Sequence, residues 1–182
     1  MARRADPTRR EELLDDVMEA VARLGLGNLS LRALARELGV SPRTLLYHFD
    51  SRDGLLDAIV AETSRRLAEA SAALGGTLPE TVKASWAWMT RPRQRGFLNV
   101  FYEVCALGVR DPLRRRTVAS SLFSDWQALL VRRGLPDASA TLLLATLHGL
   151  LLDYVLTGER ARIERAFAAY LATLSVKGNS VR

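Results

Sequence analysis

Between Pro42 and Phe49 the chain reads PRTLLYHF, and four of these side chains suit specific polar contacts. Arg43 can fork onto the edge of a guanine, and the Thr44 hydroxyl suits a phosphate or a base edge. Tyr47 can stack on a sugar or a thymine methyl, and His48 can hydrogen-bond a phosphate oxygen. Elsewhere the chain offers little reactive chemistry. Its two histidines, His48 and His148, lie in different halves, and Cys105 has no histidine near it in sequence. With no glycine-rich phosphate loop and no HExxH pattern, no enzyme, catalytic residue or cofactor is expected. A lone cysteine excludes a multi-cysteine metal site and an intrachain disulfide framework, and no metal is expected. Together with the absence of a signal-peptide pattern, this makes the cytoplasm the expected compartment.

The polar side chains are useful only if something presents them. Ser30 can cap a short helix that turns Leu34, Ala35 and Leu38 inward, and Gly39 ends it. Ser41-Pro42 is an N-cap followed by proline at the first helical position, which opens a second short helix with Leu45 and Phe49 on one face. Ser51 then caps a longer helix running to about Leu74. Two helices of about seven residues are unstable alone and need neighbours to pack against. The helix before them supplies Leu13, Leu14, Val17, Met18, Val21 and Leu24, opened by Thr8 and Glu11 as a capping box and stopped by Gly25 and Gly27. The tight turn Gly39-Val40-Ser41 presents the second short helix on the surface, where Pro42, Arg43, Thr44, Leu46, Tyr47 and His48 face a partner such as a major groove. The N-termini at Ser30 and Ser51 offer backbone N–H groups to phosphates. A plainer reading makes the bend a core device and Tyr47 and His48 ordinary surface residues. Asp50, Asp53 and Asp57 also weigh against an anionic partner.

The remainder of the chain is expected to be all-α as well, with about nine helices in total, because apolar residues recur at helical spacing and β-branched residues are scattered. The 182 residues, 48% of them hydrophobic, can fill a sizeable core. The net charge of +6 favours an anionic partner, but it is uneven: Arg3, Arg4, Arg9 and Arg10 crowd the start, and Arg91, Arg93 and Arg95, then Arg114, Arg115 and Arg116, form later clusters. Gly75-Gly76 is the best boundary. It divides a helix-turn-helix unit, residues 1–50 with the helix 51–74 as a link, from a helical domain over 75–182. Thr77 with Glu80 repeats the capping box, and the next helices end at Arg91-Pro92, Gly108, Gly134 and Gly158. The apolar run Leu142 to Leu152 is too short to span a bilayer, so no membrane is expected.

The stretch GNLSLRALARELGVSPRTLLYHFDSRDGLLDAI resembles the DNA-binding unit of the tetracycline-repressor family of bacterial regulators. The resemblance rests on Ser30 and Arg32, Leu34-Ala35, Gly39-Val40-Ser41, Thr44-Leu45, Tyr47-His48-Phe49, and Ser51-Arg52 ahead of Leu55-Leu56, and it covers roughly residues 9 to 60. It implies that Arg32, Pro42, Arg43, Thr44, Tyr47, His48 and Arg52 lie on DNA, beside the helix N-termini at Ser30 and Ser51. It also implies a homodimer that binds an inverted-repeat operator and, as a repressor, leaves it when a small molecule enters the second domain. Leu46 stands where the family usually has tyrosine, and Asp50 where lysine or a neutral residue is frequent. Arg43 occupies an often small position and is the first choice for operator specificity.

In the second domain the helix from about Asp137 to Gly158 is apolar nearly all round, so one face is left for a partner. The expected dimer seam takes Leu151 and Val155 from it, and Ile163, Phe167, Tyr170 and Leu174 from the last helix. A mainly apolar effector site is expected among Trp86, Phe97, Phe101, Tyr102, Cys105, Phe123, Trp126, Leu147 and His148, although each aromatic residue could equally fill a solid core. Activation of transcription, regulation without an effector, and a helical protein-interaction module that never touches DNA are the alternatives.

Overall fold

The computed structural model describes residues 7–27, 30–72 and 76–177. Arg3, Arg4, Leu74, Gly75 and residues 178–182 lie outside it, as does the side chain of Leu174. The regular elements among the described residues are all helical. They are α1 (Pro7–Leu24), α2 (Leu31–Glu37), α3 (Pro42–Phe49), α4 (Arg52–Ala72), α5 (Leu78–Met89) and, after a 3-10 turn, α6 (Arg95–Arg110). There follow α7 (Pro112–Ala119), α8 (Asp125–Arg132), α9 (Asp137–Thr157) and α10 (Arg160–Lys177). A π-helical turn at Ser120–Ser124 joins α7 to α8, so the two make one interrupted rod and the described residues form nine rods in all. Pro7 opens α1 one residue ahead of Thr8, as proline's fixed φ favours.

The chain folds as two compact units: the residues up to Arg66 with Asn99–Val118, and Leu67–Leu98 with the residues from Ala119 onward. In the first unit Leu13, Val17 and Val21 of α1, Leu34 of α2, Leu45 and Phe49 of α3, Leu55 and Ile59 of α4 and Val104 of α6 are all buried. At about 1.5–3 kcal/mol for each large apolar side chain, this burial stabilises α2 and α3, which are too short to persist alone. Polar clamps fix the helices further. The Glu103 carboxylate accepts the N–H groups of Leu26 and, at 3.0 Å, Gly27. Arg66 binds Asp15 at 2.6 Å, tying α4 to α1. Arg65 and then Arg66 hold the buried Glu62 carboxyl below the usual carboxylate range. Gly108 does not end α6, which continues to Arg110. A Cβ there would lie 2.9 Å from Val118 on α7, so the glycine permits close helix contact and does not break the helix.

In the second unit α9 packs against α8 and α10, and α10 against α5. Trp86 of α5 stacks on Phe167 of α10, with ring centroids 4.3 Å apart and 10° between planes. This packing corrects the expected dimer seam. Leu151, Ile163 and Phe167 are 1%, 1% and 6% exposed within a single chain and hold that chain's own core. Val155 and Tyr170 are half-buried. Among the residues α9 leaves exposed, Leu142, Ala145, Gly149, Leu152 and Leu156 form a stripe with alternating three- and four-residue steps. Neither leucine periodicity nor apolar content distinguishes this stripe from the buried one, since both lie on an almost wholly apolar helix.

Candidate nucleic-acid interface and effector cleft

Three serines set the ends of the helices around α3. Ser30 Oγ accepts the Ala33 N–H at 3.0 Å, Ser41 Oγ that of Thr44 at 3.0 Å, and Ser51 Oγ that of Gly54 at 2.9 Å. Gly39, at φ +64°, makes the turn between α2 and α3 in a conformation that other residues adopt only at a cost. Burial of Leu45 and Phe49 fixes the roll of α3, which leaves Pro42, Arg43, Leu46 and Tyr47 exposed and Thr44 and His48 half-buried. The Thr44 hydroxyl shares a 2.9 Å hydrogen bond with Ser41 Oγ. His48 meets the Tyr47 ring edge-on at 5.1 Å, and its Nδ1 is enclosed without a hydrogen-bond partner. Arg32, Arg43 and Arg52 are exposed and make no ion pair among the described residues.

Two devices hold α3 in place that the sequence did not reveal. Arg10 donates to the His48 carbonyl at 3.1 Å and lies over the Phe49 ring at 5.1 Å, so one member of the N-terminal arginine cluster is structural. Asp50 sits at φ +63° and ψ −42°, with the Ser51 N–H donating to the Phe49 carbonyl at 2.7 Å across a three-residue turn. That carbonyl would lie 2.1 Å from a Cβ on Gly54, so α3 presses directly on the first turn of α4. Two of the three acids that weighed against an anionic partner, Asp53 and Asp57, are paired. Arg114 of α7 binds Asp57 at 2.8 Å and Asp53 at 3.1 Å.

The second unit contains a narrow cleft of about 60 Å³, walled by Leu67, Val82, Met89, Trp126, Leu143, Leu147 and Leu151. Its polar lining is Thr81, Ser85, Arg133 and His148, with Arg133 donating to Thr81 Oγ1 at 2.9 Å. A wider groove of about 480 Å³ lies beside it, lined by Phe123, Gln127, Thr141 and Ala145, and the two share Leu144 and His148. His148 contacts Phe123 edge-on at 4.9 Å, and burial pushes its pKa down to about 4, so the ring is neutral near pH 7. Neither cavity is lined by an aspartate or glutamate.

Of the expected effector residues, Phe123, Trp126, Leu147 and His148 come together here. Trp86 turns to Phe167, and Phe97 meets Trp88 at 5.5 Å; neither lines either cavity. Phe101, Tyr102 and Cys105 belong to the first unit, where burial pushes the Cys105 thiol up to about 11 and the Tyr102 hydroxyl higher still. Glu103 and Asp153 are committed as well, to the end of α1 and to Arg162 at 2.6 Å.

The family model described as bacterial regulatory proteins, tetR family, matches residues 13–59, which include all of α2 and α3. The transcriptional regulator BetI of Escherichia coli O139:H28 is 25% identical over 171 residues, covering 83% of this chain and 84% of that protein. A TetR-family structure from Streptomyces coelicolor A3 superposes with a TM-score of 0.78 at 27% identity, covering 92% of this chain and 98% of that one. The chain belongs to the TetR family. Over its N-terminal part, BetI of Cronobacter sakazakii is 31% identical across 67 residues, 37% of this chain; that match spans about a third, 33%, of the relative's own length. The multidrug binding protein EbrR, crystallised with malachite green, is also similar to this TetR-family chain, at 27% identity and a TM-score of 0.71 over 91% of this chain and 98% of EbrR.

Proposed function

We propose that this TetR-family chain is a sequence-specific DNA-binding transcriptional regulator. It acts as a repressor that a small hydrophobic or aromatic effector releases from a palindromic operator. The observation that carries this reading is the outward face of α3: Arg43 and Tyr47 stand exposed on a helix rigidly capped and pinned, with uncommitted Arg32 and Arg52 on either side. Arg43 reads a base edge, Tyr47 and Thr44 line the groove, and His48 and the capped N-termini at Ser30 and Ser51 hold phosphates. Residues 1–50 read DNA, 51–74 link them to the rest, and 75–182 regulate them, with Asn99–Val118 packed into the first compact unit. The protein works in the cytoplasm and has no catalytic role.

The working unit is a homodimer. Exposed Leu142, Leu152 and Leu156, at 61%, 40% and 74%, alternate with Ala145 and Gly149 in the stepped pattern of a helix seam, and a Cβ on Gly149 would meet nothing within its own chain. By length and composition α9 is apolar enough to cross a bilayer, but a stepped stripe of small and large residues fits a second helix better than lipid. The effector occupies the cleft and groove together. The cleft alone is far smaller than the roughly 300 Å³ or more of a typical ligand site, so Phe123, Leu144 and His148 must move apart to admit a ring. With a neutral histidine, one arginine and no acid in the lining, the ligand is neutral or weakly anionic. An effector-independent regulator is the second reading, favoured by that same small cleft.

Selection of bound sequences from a random duplex pool tests the reading. An inverted repeat with half-sites about 34–36 Å apart, or a longer in-phase spacing, is the expected result. Enrichment of no sequence would overturn it. Screening neutral and anionic aromatic compounds for operator release then separates the two versions, because an effector must favour the non-binding arrangement to shift the equilibrium.

A further inference from the structure

The face that reads DNA in this proposal has a charge problem. Asp50, Asp53 and Asp57 follow α3 directly, and Asp53 and Asp57 are 71% and 63% exposed on the first two turns of α4, beside Arg52. Three carboxylates against Arg43 and Arg52 would repel the phosphates that Arg52 is placed to hold. The structure brings in a charge from far along the chain. Arg114 is 12% exposed, donates to Asp57 at 2.8 Å and Asp53 at 3.1 Å, and also binds Asp111 and, at 3.2 Å, the Asp53 backbone carbonyl.

We infer that Arg114 is an electrostatic mask. It neutralises Asp53 and Asp57 so that the start of α4 can approach DNA, and operator affinity is high only while the α6–α7 corner is docked on α4. The inference rests on the DNA-binding reading above. The corner is suited to such conditional masking, because Asn99–Val118 enters the first unit as a segment bounded in sequence on both sides by the second. Its polar ties to the first unit include the Arg114 cluster and the Glu103 bonds beyond the end of α1. Any rearrangement that withdraws the corner removes one positive charge and uncovers two negative ones on the first two turns of α4, which Arg52 opens. The guanidinium suits this task because its fork binds two carboxylates at once and never deprotonates near neutral pH.

The test is a charge-reversion cycle on full-length protein. Operator recovered from the random pool is titrated by fluorescence anisotropy at several salt concentrations, with a melting curve for each variant. Arg114→Gln should weaken operator binding about tenfold at 100 mM salt, with the deficit shrinking toward 300 mM as screening rises. Adding Asp53→Asn and Asp57→Asn to that variant should return affinity to within about twofold of the parent protein, since the two carboxylates that Arg114 masks are then gone. Arg114→Lys should keep most of the affinity, because the mask is a charge. If Arg114 only holds the corner in place, the asparagines remove its remaining partners and cannot restore binding, so failure of the triple variant overturns the mask. Unchanged binding by folded Arg114→Gln overturns it as well. Should the parent protein bind no duplex at all, the failure belongs to the DNA-binding reading, and the cycle is never reached.

Discussion

Helices α3 and α9 both leave much of their surface uncovered, but they do so with opposite chemistry. Helix α3 buries only Leu45 and Phe49 and exposes Arg43 and Tyr47, groups that bind a hydrated, charged partner. Helix α9 buries Ala140, Leu143, Leu151 and Tyr154 and exposes three leucines around an alanine and a glycine, a surface that gains by losing water. Under the proposed function, specificity on α3 resides in single polar groups, of which Thr44 is held by the Ser41 cap and Tyr47 by its ring contact with His48. On α9 it resides in shape and area, and neighbouring leucines differ only in which side they face.

The largest effect should come from confusing those two sides of α9. Leu151→Glu places a charge at a position 1% exposed and should cost about 4 kcal/mol or more, seen as loss of the cooperative melt. Leu156→Glu, at 74% exposed, should leave the fold intact and convert dimers to monomers in sedimentation, with operator binding weakened as a consequence. A folded dimer for Leu156→Glu would break the contrast. Next in size is Arg52→Ala, which should weaken all duplexes alike and lower the salt slope by about one, as expected for one lost phosphate contact.

A pH effect sharpens the comparison from the side of the second unit. The His148 pKa lies near 4 when folded against 6.5 unperturbed, so the unfolded chain binds the extra proton between those values. Stability from this residue is complete above about pH 6.5 and falls as the pH drops toward 4. Because the ring is only half-buried, the loss should be about 1–2 kcal/mol. His148→Gln should flatten that part of the stability profile relative to the parent protein, whose carboxylates titrate identically in both. The smallest effect expected is that of Ser41→Ala, about 1 kcal/mol in stability, measured as a lower denaturant midpoint with unchanged slope.

How much of this was legible in the sequence follows the same division. Caps such as Ser30, Ser41 and Ser51 announce themselves because few residue types can satisfy free helical N–H groups, and all three hold those bonds. Glycine was less transparent. Gly39 turns the chain, whereas Gly108 sits inside α6 to admit Val118, and the two look alike in sequence. Assigning Leu151 to an outward face was beyond the sequence because Leu151 and Leu152 are chemically identical, and only packing shows which one the chain keeps for itself. The Arg114 contacts were invisible because Asp57 lies 57 positions away, and no local pattern links residues at that separation. Trp86 was placed near the effector because tryptophan suits both a cavity wall and a core, and Phe167 decides between them.

The most direct test of the account is to repeat the duplex selection with Arg43→Ala. If α3 reads the operator through that guanidinium, the recovered sites keep their inverted repeat and half-site spacing, and one base position in each half loses its preference at a cost of about 1–3 kcal/mol. Recovery of the same preference at every position, with affinity reduced equally on operator and random duplex, would contradict the claim and reduce Arg43 to a non-specific phosphate contact.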